Sequence, residues 1–284
     1  MSTQFATLPD LILEPMVRAA LMEDLGQNGD ITTRAVIPAS ATYSARLNAR
    51  EDGVVSGMQI ARIAFHLVDA GLKVETLLPD GSACKKGDTL MTVEGSAASI
   101  LSGERVALNF AGRLTGIATL TAAFAAETKG TATRITCTRK TTPGLRVAEK
   151  HAVLHGGGYN HRFGLSDAIL IKDNHIAAAG GVRAVLEAAK ASVSHMMKVE
   201  IEVDTLGQLS EVIATGGADV VLLDNMDTPT LIKAVEMAKG HVVTEASGNM
   251  RLDRIAEVAA TGVDYISSGA LTHSARTLDL GLDF

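Results

Sequence analysis

The stretch MKVEIEVDTLGQLSEVIATGGADVVLLDN, residues 197–225, has the pattern that decides the fold. It begins with a run rich in β-branched and apolar residues, continues through an amphipathic segment of helical length, and returns to a second apolar run. Nearly continuous apolar strands are typical of a parallel sheet, because helices cover both of its faces. The stretch therefore predicts a strand–helix–strand unit with parallel strands.

The same alternation runs through the second half of the chain. Six such units in about 140 residues approach the density of an α/β barrel. A doubly wound open sheet is the competing architecture, and the alternation alone does not exclude it. The apolar runs are ATRITCT (132–138), DAILIKD (167–173), MKVEIEV (197–203), DVVLLD (219–224), HVVTEA (241–246) and VDYISSG (263–269).

The first half has a different rhythm. YSARLNARE (43–51) alternates like a half-buried strand, and GMQIARIAFHLVDAG (57–71) has helical spacing. Residues 96–128 are alanine-rich and helical, with Gly112 and Gly116 as expected points of close packing or bending. We therefore expect an α+β region before the barrel.

The charge of the chain restricts the class of ligand. Its 284 residues include 26 Lys and Arg against 32 Asp and Glu, a net charge of −6. A general nucleic-acid or membrane-surface binder would have a basic footprint instead. Against this acidic background, TRKTTPGLR (138–146) and HGGGYNHRFG (155–164) gather arginine, lysine and histidine. A local cationic cluster of this kind indicates a small anionic ligand.

Cysteine usage and the N-terminal residues bear on the compartment. Cys84 and Cys137 give neither a disulfide framework nor a metal motif, and Cys137 lies in an apolar run, which favours a buried thiol in a reducing cytosol. Residues 1–15 lack the basic segment of a secretory signal, and no run of about 18 uncharged apolar residues would span a membrane. We therefore expect a soluble, cytoplasmic protein.

Polar residues follow the predicted strands at the point where each strand ends. Because the carboxyl ends of parallel strands meet at one mouth of a barrel, these side chains are expected to converge there. The loops EASGN (245–249) and SSGA (267–270) are typical phosphate cradles, which bind through backbone N–H groups. The other polar strand ends are Arg139 and Lys140, Lys172 to Asn174, Glu202 and Asp204, and Asp224 and Asn225.

Two of these strand ends are candidate ligands of Mg²⁺. Glu202 and Asp224 offer the carboxylate oxygens that this ion prefers, often together with substrate phosphates. The alternative for either residue alone is an N-cap of the following helix. His151 and His155, one helical turn apart, imitate a metal pair, but no third ligand follows at a suitable spacing and we expect no zinc site.

Several long motifs, taken in order, resemble the quinolinate phosphoribosyltransferase (decarboxylating) family, also called nicotinate-nucleotide diphosphorylase (carboxylating). Because they are long and ordered along nearly the whole chain, they are more specific than a lone short pattern. The motifs are LMEDLGQNGDITT, SGERVALNFAGRLTGIAT, TRKTTPGLR, KHAVLHGGGYNHRFGLSDAILIKDNHI, VEIEVDTL, VLLDN, EASGN and GVDYISSGALTHSA.

The resemblance implies a fold and a reaction. The fold is an N-terminal α+β sandwich domain (1–116), an incomplete seven-stranded α/β barrel (117–274) and a C-terminal segment (275–284) that packs back near the first domain. The reaction joins quinolinate to 5-phosphoribosyl-1-diphosphate (PRPP), giving nicotinate mononucleotide, diphosphate and CO₂ in NAD biosynthesis. Mg²⁺ bound with PRPP is the implied cofactor.

The resemblance also implies the residues that bind quinolinate. Arginine binds carboxylates in a bidentate manner, which suits a ring with two carboxylates. Sites in the family lie between the subunits of a homodimer, so Arg105 would serve the neighbouring chain, in a dimer or a higher oligomer. The implied clamp comprises Arg105, Arg139 and Arg162, with His161 and Lys172.

PRPP is expected to meet the remaining site residues. Lys140 and Lys172 would bind its phosphates or the diphosphate leaving group, and Glu202 and Asp224 would bind the Mg²⁺ or the ribose hydroxyls. These four residues form the predicted catalytic set. Thr138, Ser247, Gly248, Asn249, Ser268, Gly269 and Ala270 complete the predicted substrate-binding set.

Three other hypotheses compete with this one. A paralogous phosphoribosyltransferase acting on another base, or a relative associated with transition-metal uptake, would keep the PRPP loops and lose part of the clamp. A Schiff-base aldolase would use Lys172 on a barrel strand. A non-catalytic polyanion sensor would not need so many polar strand ends. Because the chain keeps every candidate of the clamp, the quinolinate enzyme is favoured.

Overall fold

The computed structural model describes residues 7–284. The first six residues of the predicted N-terminal domain lie outside the described residues. The helices are α1 (Asp10–Leu25), α2 (Ile31–Val36), α3 (Met58–Val68), α4 (Ala97–Glu127), α5 (Arg146–His155), α6 (Asp173–Ala179), α7 (Val182–Ser192), α8 (Leu206–Thr215), α9 (Thr228–Ala238), α10 (Leu252–Ala259) and α11 (Ala270–His273). The strands are β1 (Thr42–Ala49), β2 (Gly53–Val54), β3 (Lys73–Thr76), β4 (Ala83–Cys84), β5 (Thr89–Ser96), β6 (Arg134–Thr136), β7 (Ile169–Ile171), β8 (Val199–Val203), β9 (Val220–Asp224), β10 (Val243–Ser247), β11 (Tyr265–Ser267) and β12 (Leu280–Asp283).

The chain divides into two compact units. The first unit comprises the chain up to Ala122, Thr141–Gly157 and Leu271–Phe284, and the second unit comprises Ala123–Lys140 and Gly158–Ala270. The predicted boundary after residue 116 falls inside α4, and the predicted barrel range includes residues 141–157, which belong to the first unit. The division into units follows packing, in which the unbroken α4 runs past residue 116 and α5 lies with the first unit.

The first unit is built on an antiparallel sheet. Its strands lie in the order β12-β1-β5-β3, and α3 buries the apolar face that contains Ile60, Ala64 and Phe65. The C-terminal segment supplies β12, in which Leu282 is paired with Leu47 of β1. This is the α+β region that the first half of the sequence predicted.

Glycine lets the C-terminal segment approach α4 closely within the first unit. A Cβ at Gly112 would lie 2.8 Å from the carbonyl oxygen of Leu278, and one at Gly116 would overlap the carbonyl oxygen of Arg276. The Leu278 N–H donates to the carbonyl oxygen of Gly112 at 3.0 Å. Both glycines are points of close packing, and α4 remains helical through them.

The second unit holds a parallel sheet with the strand order β6-β11-β10-β9-β8-β7. The first strand, β6, lies beside the last, β11, which is the closure of a barrel and not the order of a doubly wound sheet. Tyr159 forms an isolated parallel bridge with Thr136 of β6. The seventh strand implied by the resemblance is thus reduced to one bridge, and the predicted fold class is confirmed.

The strands of the second unit bury one apolar face under the helices. In β8, Ile201 and Val203 are fully buried, while Glu200 and Glu202 lie on the opposite face. The sequence predicted continuous apolar strands, but the inner face of the sheet carries carboxylates. Among residues 7–284, no helix has both the length and the apolar character needed to cross a membrane.

Candidate active site

The register of the parallel sheet brings the predicted strand-end residues together in the second unit. Glu202 of β8 is paired with Leu222 of β9, which is paired with Glu245 of β10, so the three side chains lie side by side on one face. Lys172 follows β7, and its Nζ lies 2.9 Å from Oε2 of Glu202. The Lys172 side chain is half exposed and that of Glu202 mostly buried. An exposed cation therefore covers a carboxylate at the mouth of the barrel.

Neither Glu202 nor Asp224 caps the helix that follows it. The N-cap of α8 is Thr205, whose side chain accepts a hydrogen bond from the Gln208 N–H. The N-cap of α9 is Asp227, which accepts from the Thr230 N–H. The capping alternative is therefore wrong for both carboxylates, and their place at the strand ends needs another reason.

The loops after β9 and β10 contact each other, since the Asn249 side-chain amide donates to Oδ1 of Asn225 at 3.3 Å. We call Asp224–Asn225 together with Ser247–Asn249 the phosphate cradle. Asn225 (φ 53°) and Asn249 (φ 49°) both have left-handed backbone conformations. Gly248 also has a positive φ of 91°, and a Cβ there would lie 2.6 Å from Cγ of Asn225. Successive residues with such conformations can turn backbone N–H groups toward an anion. The Asn225 N–H donates to the carbonyl oxygen of Ser247 at 3.0 Å, so the backbone around Gly248 is the part of the cradle with a conformation suited to an anion.

The third predicted loop is tied to the second through a side chain. The buried Ser268 hydroxyl donates to the carbonyl oxygen of Met250 at 2.8 Å, and the Ala270 N–H donates to the Ser268 hydroxyl at 3.3 Å. Residues 268–270 therefore lie beside the end of the phosphate cradle. Because the Ser268 hydroxyl is hydrogen-bonded within the protein, we expect residues 268–270 to bind a ligand through their backbone groups.

Two arginines of the predicted clamp lie near each other. The Nη1 group of Arg162 donates to the carbonyl oxygen of Ala168 at 3.1 Å, while its buried Nε has no hydrogen-bond partner among the described residues. Burial lowers the pKa of Arg162, and the neighbouring charge of Arg139 lowers it further. Two cations held together in this way favour an anion between or beside them.

His161 lies next to Arg162 and faces two carboxylates. Its Nε2 atom is 2.9 Å from Oε2 of Glu200 and 3.6 Å from Oε1 of Glu245. Its Nδ1 atom accepts a hydrogen bond from the Arg162 N–H at 2.7 Å. Sequence reasoning missed Glu200 and Glu245. For Glu200 the available signal was the alternation of acidic and apolar residues in VEIEV, inside a strand that was expected to be wholly apolar.

The remaining predicted residues lie apart from these groups or on their rim. Lys140 is exposed, and its N–H donates to the Thr138 hydroxyl at 3.0 Å, which turns the chain after β6. Arg105 is exposed on α4 in the first unit, and its place in the clamp stays a prediction. His151 and His155 also lie in the first unit, where Nδ1 of His155 is 2.8 Å from the Ser56 hydroxyl.

Comparison with known proteins agrees with this arrangement. Residues 30–115 match the family model for the N-terminal domain of quinolinate phosphoribosyl transferase, and residues 117–283 match the model for its C-terminal domain. The quinolinate phosphoribosyltransferase [decarboxylating] 1b of Nicotiana tabacum is 43% identical, with 96% of this chain and 83% of that protein covered. A probable nicotinate-nucleotide pyrophosphorylase [carboxylating] of Bacillus subtilis is 41% identical, with 96% and 93% covered.

Solved structures give the same result. The crystal structure of NadC from Streptococcus pyogenes superposes with a TM-score of 0.94 at 39% identity and covers 98% of both chains. The nicotinate-nucleotide pyrophosphorylase from Francisella tularensis gives 0.94 at 37% identity, with 100% of this chain and 99% of that chain covered. The chain belongs to the quinolinate phosphoribosyltransferase family.

Proposed function

We propose that this chain transfers the phosphoribosyl group of PRPP to quinolinate with decarboxylation, giving nicotinate mononucleotide, diphosphate and CO₂ in NAD biosynthesis. The observation that carries the proposal is the pair of neighbouring guanidinium groups of Arg139 and Arg162. Because burial and mutual repulsion destabilise the charged form of Arg162, an arriving anion relieves both effects. A ring with two adjacent carboxylates matches two guanidinium forks in charge and geometry.

The phosphate cradle supports the use of PRPP as the second substrate. The 5-phosphate would accept hydrogen bonds from backbone N–H groups around Gly248, where any side chain would clash with Asn225. Ser247 and Asn249 flank this position, and the Ser268–Ala270 loop lies against the end of the cradle. The ribose would then lie between Gly248 of the cradle and the strand-end carboxylates Glu202 and Asp224.

The transfer step needs positioning and charge neutralisation more than covalent help. The bond from ribose C1 to the diphosphate oxygen breaks, and a bond from C1 to the ring nitrogen of quinolinate forms. Positive charge develops on the ribose, as in glycoside cleavage, and negative charge develops on the diphosphate. Lys140 and Lys172 would neutralise the leaving diphosphate, while the clamp holds the ring nitrogen in line with C1.

Decarboxylation follows from the product of the transfer step. Once the ring nitrogen carries the ribosyl group it is positively charged, and it stabilises the electron pair left on C2 when CO₂ departs. A proton then binds to C2 and completes nicotinate mononucleotide.

Mg²⁺ bound with PRPP is part of the proposal. The donor set fits the ion, since Glu202 and Asp224 are oxygen ligands on adjacent strands that do not cap helices. Lys172 already binds one oxygen of Glu202, so this carboxylate would be shared between the lysine and the ion or its water. When bound, the ion supplies positive charge to the diphosphate oxygens.

One assay tests the proposed reaction. The protein is incubated with PRPP, Mg²⁺ and quinolinate labelled in its C2 carboxylate, and both nicotinate mononucleotide and labelled CO₂ are measured. We expect the two products in equal amounts, with no activity in excess EDTA and recovery with added Mg²⁺. Nicotinate serves as the matched substrate that lacks the second carboxylate. Turnover of nicotinate without turnover of quinolinate would contradict the proposal.

The proposal includes a homodimer with shared active sites, in the reducing cytoplasm that the cysteine usage favours. Arg105→Ala and Lys172→Ala should each abolish most of the activity. If Arg105 serves the partner, refolding the two variants together forms dimers with one intact site. Random pairing makes about half of the dimers mixed, so about a quarter of the wild-type activity should return. No recovery, despite subunit exchange confirmed by mass, would place Arg105 in its own chain or outside the site.

A further inference from the structure

Two buried carboxylates of the second unit have no part in the binding and transfer steps above. Glu200 of β8 is 7% exposed and Glu245 of β10 is 5% exposed. Oxygen Oε1 of Glu200 is buried and has no hydrogen-bond partner among the described residues. Removing carboxylates from water is unfavourable unless other groups compensate, so these two need a reason for their place in the barrel.

Both carboxylates face His161, and the hydrogen bonds of this ring define its tautomer. Because Nδ1 accepts the Arg162 N–H at 2.7 Å, the ring proton lies on Nε2. The Nε2–H group then donates to Glu200 Oε2 at 2.9 Å. Each side of the ring is held, one by the backbone of a clamp residue and the other by a buried carboxylate.

The same three side chains have the spacing of a metal site, since their ligand atoms lie within 4.8 Å of one another. A metal ion would need the lone pair of His161 Nε2, and the ring proton would then move to Nδ1. Two N–H groups, that of Nδ1 and that of Arg162, would then face each other, and the hydrogen bond between them would be lost. The hydrogen-bond pattern therefore favours a role in orienting the ring.

The charge of the pair is compatible with a nearby dicarboxylate. Burial, and then the Glu200 carboxylate, raises the pKa of Glu245 to about 7, while a hydrogen bond with the Ser267 hydroxyl acts in the opposite direction. The two carboxyl groups therefore carry less than two full charges near neutral pH. This limits the repulsion of an anionic ligand held by Arg162.

We propose that Glu200, assisted by Glu245, is a positioning residue for the dicarboxylate clamp. It fixes the tautomer and orientation of His161, and through the Nδ1 bond it fixes the backbone of Arg162. The Arg162 side chain therefore has fewer conformations to lose when its guanidinium binds the ligand. This inference rests on the proposed function for its substrate, but the state of the His161 ring can be measured without turnover.

The test uses four variants of the whole protein. Glu200→Gln keeps the size of the side chain and removes the charge, and Glu200→Asp keeps the charge but withdraws it by one methylene. Glu245→Gln mimics the protonated acid. Glu236→Gln is the matched control, because Glu236 is an exposed carboxylate on α9 of the same unit. Thermal melts establish that each variant is folded.

We expect Glu200→Gln to raise the KM for quinolinate about tenfold, because an amide replaces the charged acceptor and can present either its oxygen or its NH2 group to His161, with the KM for PRPP and kcat changed less than about threefold. Glu200→Asp should not restore the KM, and Glu245→Gln should raise it only about two- to threefold. Nitrogen-15 NMR should show the Nε2–H tautomer of His161 in wild type and in Glu236→Gln, and a mixture of tautomers in Glu200→Gln.

Three outcomes would overturn the proposal. The first is an unchanged His161 spectrum with a normal quinolinate KM in Glu200→Gln. The second is an equal rise of both KM values with a lower melting temperature, which would show a structural role. The third is stoichiometric binding of Zn²⁺ or Mn²⁺ by the wild type that Glu200→Gln abolishes, which would show a metal site. If no variant turns over quinolinate, calorimetric binding of quinolinate to wild type and Glu200→Gln decides the matter.

Discussion

Two buried carboxylates, one in each unit, differ in how completely they are satisfied. Glu149 of the first unit is fully buried and accepts hydrogen bonds from Arg113 Nη2 at 2.9 Å and from the N–H and hydroxyl of Thr142 at 3.0 and 2.8 Å. Glu200 of the second unit has one oxygen bonded to His161 and one without a hydrogen-bond partner among the described residues. Saturated networks make a fold specific, whereas incomplete ones mark places where a ligand or a reaction completes the set.

The same contrast holds for the arginines. Arg113 donates to Glu149 and also to the carbonyl oxygens of Thr272 and Ala275, so its guanidinium is occupied. The buried Nε of Arg162 has no hydrogen-bond partner in the part of the chain that the structure describes. We infer that the first unit uses its buried ion pair for stability, and that the second unit holds its charges ready for a ligand.

The largest expected effect is on stability, in the first unit. Glu149→Ala leaves Arg113 as an uncompensated cation with 23% of its side chain exposed, and breaking such a pair costs about 3–5 kcal/mol of unfolding free energy. Chemical denaturation should report this loss. Replacing both partners, in Arg113→Met with Glu149→Leu, should recover part of it, because apolar groups remove the unpaired charge. An unchanged midpoint in Glu149→Ala would refute the stability role.

The next effect is on binding, in the second unit. Arg162→Gln keeps much of the side-chain volume, including a donor that can reach toward the backbone, but removes the charge that a carboxylate needs. Quinolinate binding should weaken by about 2–5 kcal/mol, while the unfolding free energy stays the same or rises because repulsion from Arg139 is relieved. Calorimetric titration and denaturation on the same samples measure both. A clear fall in the unfolding free energy with normal quinolinate affinity would show that Arg162 stabilises the fold and does not bind the ligand.

The pH dependence of stability should have opposite signs in the two units. Burial, and then the charge of His151, lowers the pKa of His155 in the first unit to about 3 from 6.5, so its contribution to stability is lost as pH falls below 6.5 toward 3. The pKa of Glu245 in the second unit is raised from 4.5 to about 7, so it destabilises the fold progressively as pH rises from 4.5 through 7. Each slope is about 1.4 kcal/mol per pH unit at most.

Two variants separate these slopes. Between pH 4.5 and 6.5 the two slopes oppose each other, so the wild-type curve should be nearly flat there. His155→Gln should remove the rise between pH 3 and 4.5 and leave the fall due to Glu245 from pH 4.5 to 7, whereas Glu245→Gln should remove the fall above pH 6.5 and leave a rise from pH 3 to 6.5. The slope of the unfolding free energy against pH is the quantity to compare, because either variant also changes the level of stability. Parallel curves for wild type and both variants would show that neither group titrates as the structure implies.

Much of the second unit was predictable from the sequence, because apolar runs and amphipathic helices alternate with a regular period. Strand ends such as Lys172 and Glu202 were correctly expected to meet, since parallel strands align their carboxyl ends. Glu200 was missed because the strand was expected to be wholly apolar, so the alternation in VEIEV was not used. Glu245 was missed because it was assigned to a phosphate-binding loop, whereas it lies inside β10. The packing of residues 141–157 with the first unit depends on long-range contacts, which a local sequence pattern does not report.

The smallest expected effect is the loss of the helix cap at Asp227, which lies three positions after Asp224. Asp227 caps α9 by accepting the Thr230 N–H at 2.9 Å, and loss of such a cap costs about 1 kcal/mol of unfolding free energy. Asp224 ends β9, where its Oδ2 accepts a hydrogen bond from the Asn225 side chain, and it caps no helix. Asp227→Ala should therefore lower stability by about 1 kcal/mol and leave the KM for PRPP within about twofold. Asp224→Ala should raise the KM for PRPP or abolish turnover, with less effect on stability. Denaturation and initial-rate kinetics on both variants make the comparison, and a larger PRPP defect in Asp227→Ala than in Asp224→Ala would show that the cap, and not the strand end, belongs to the site.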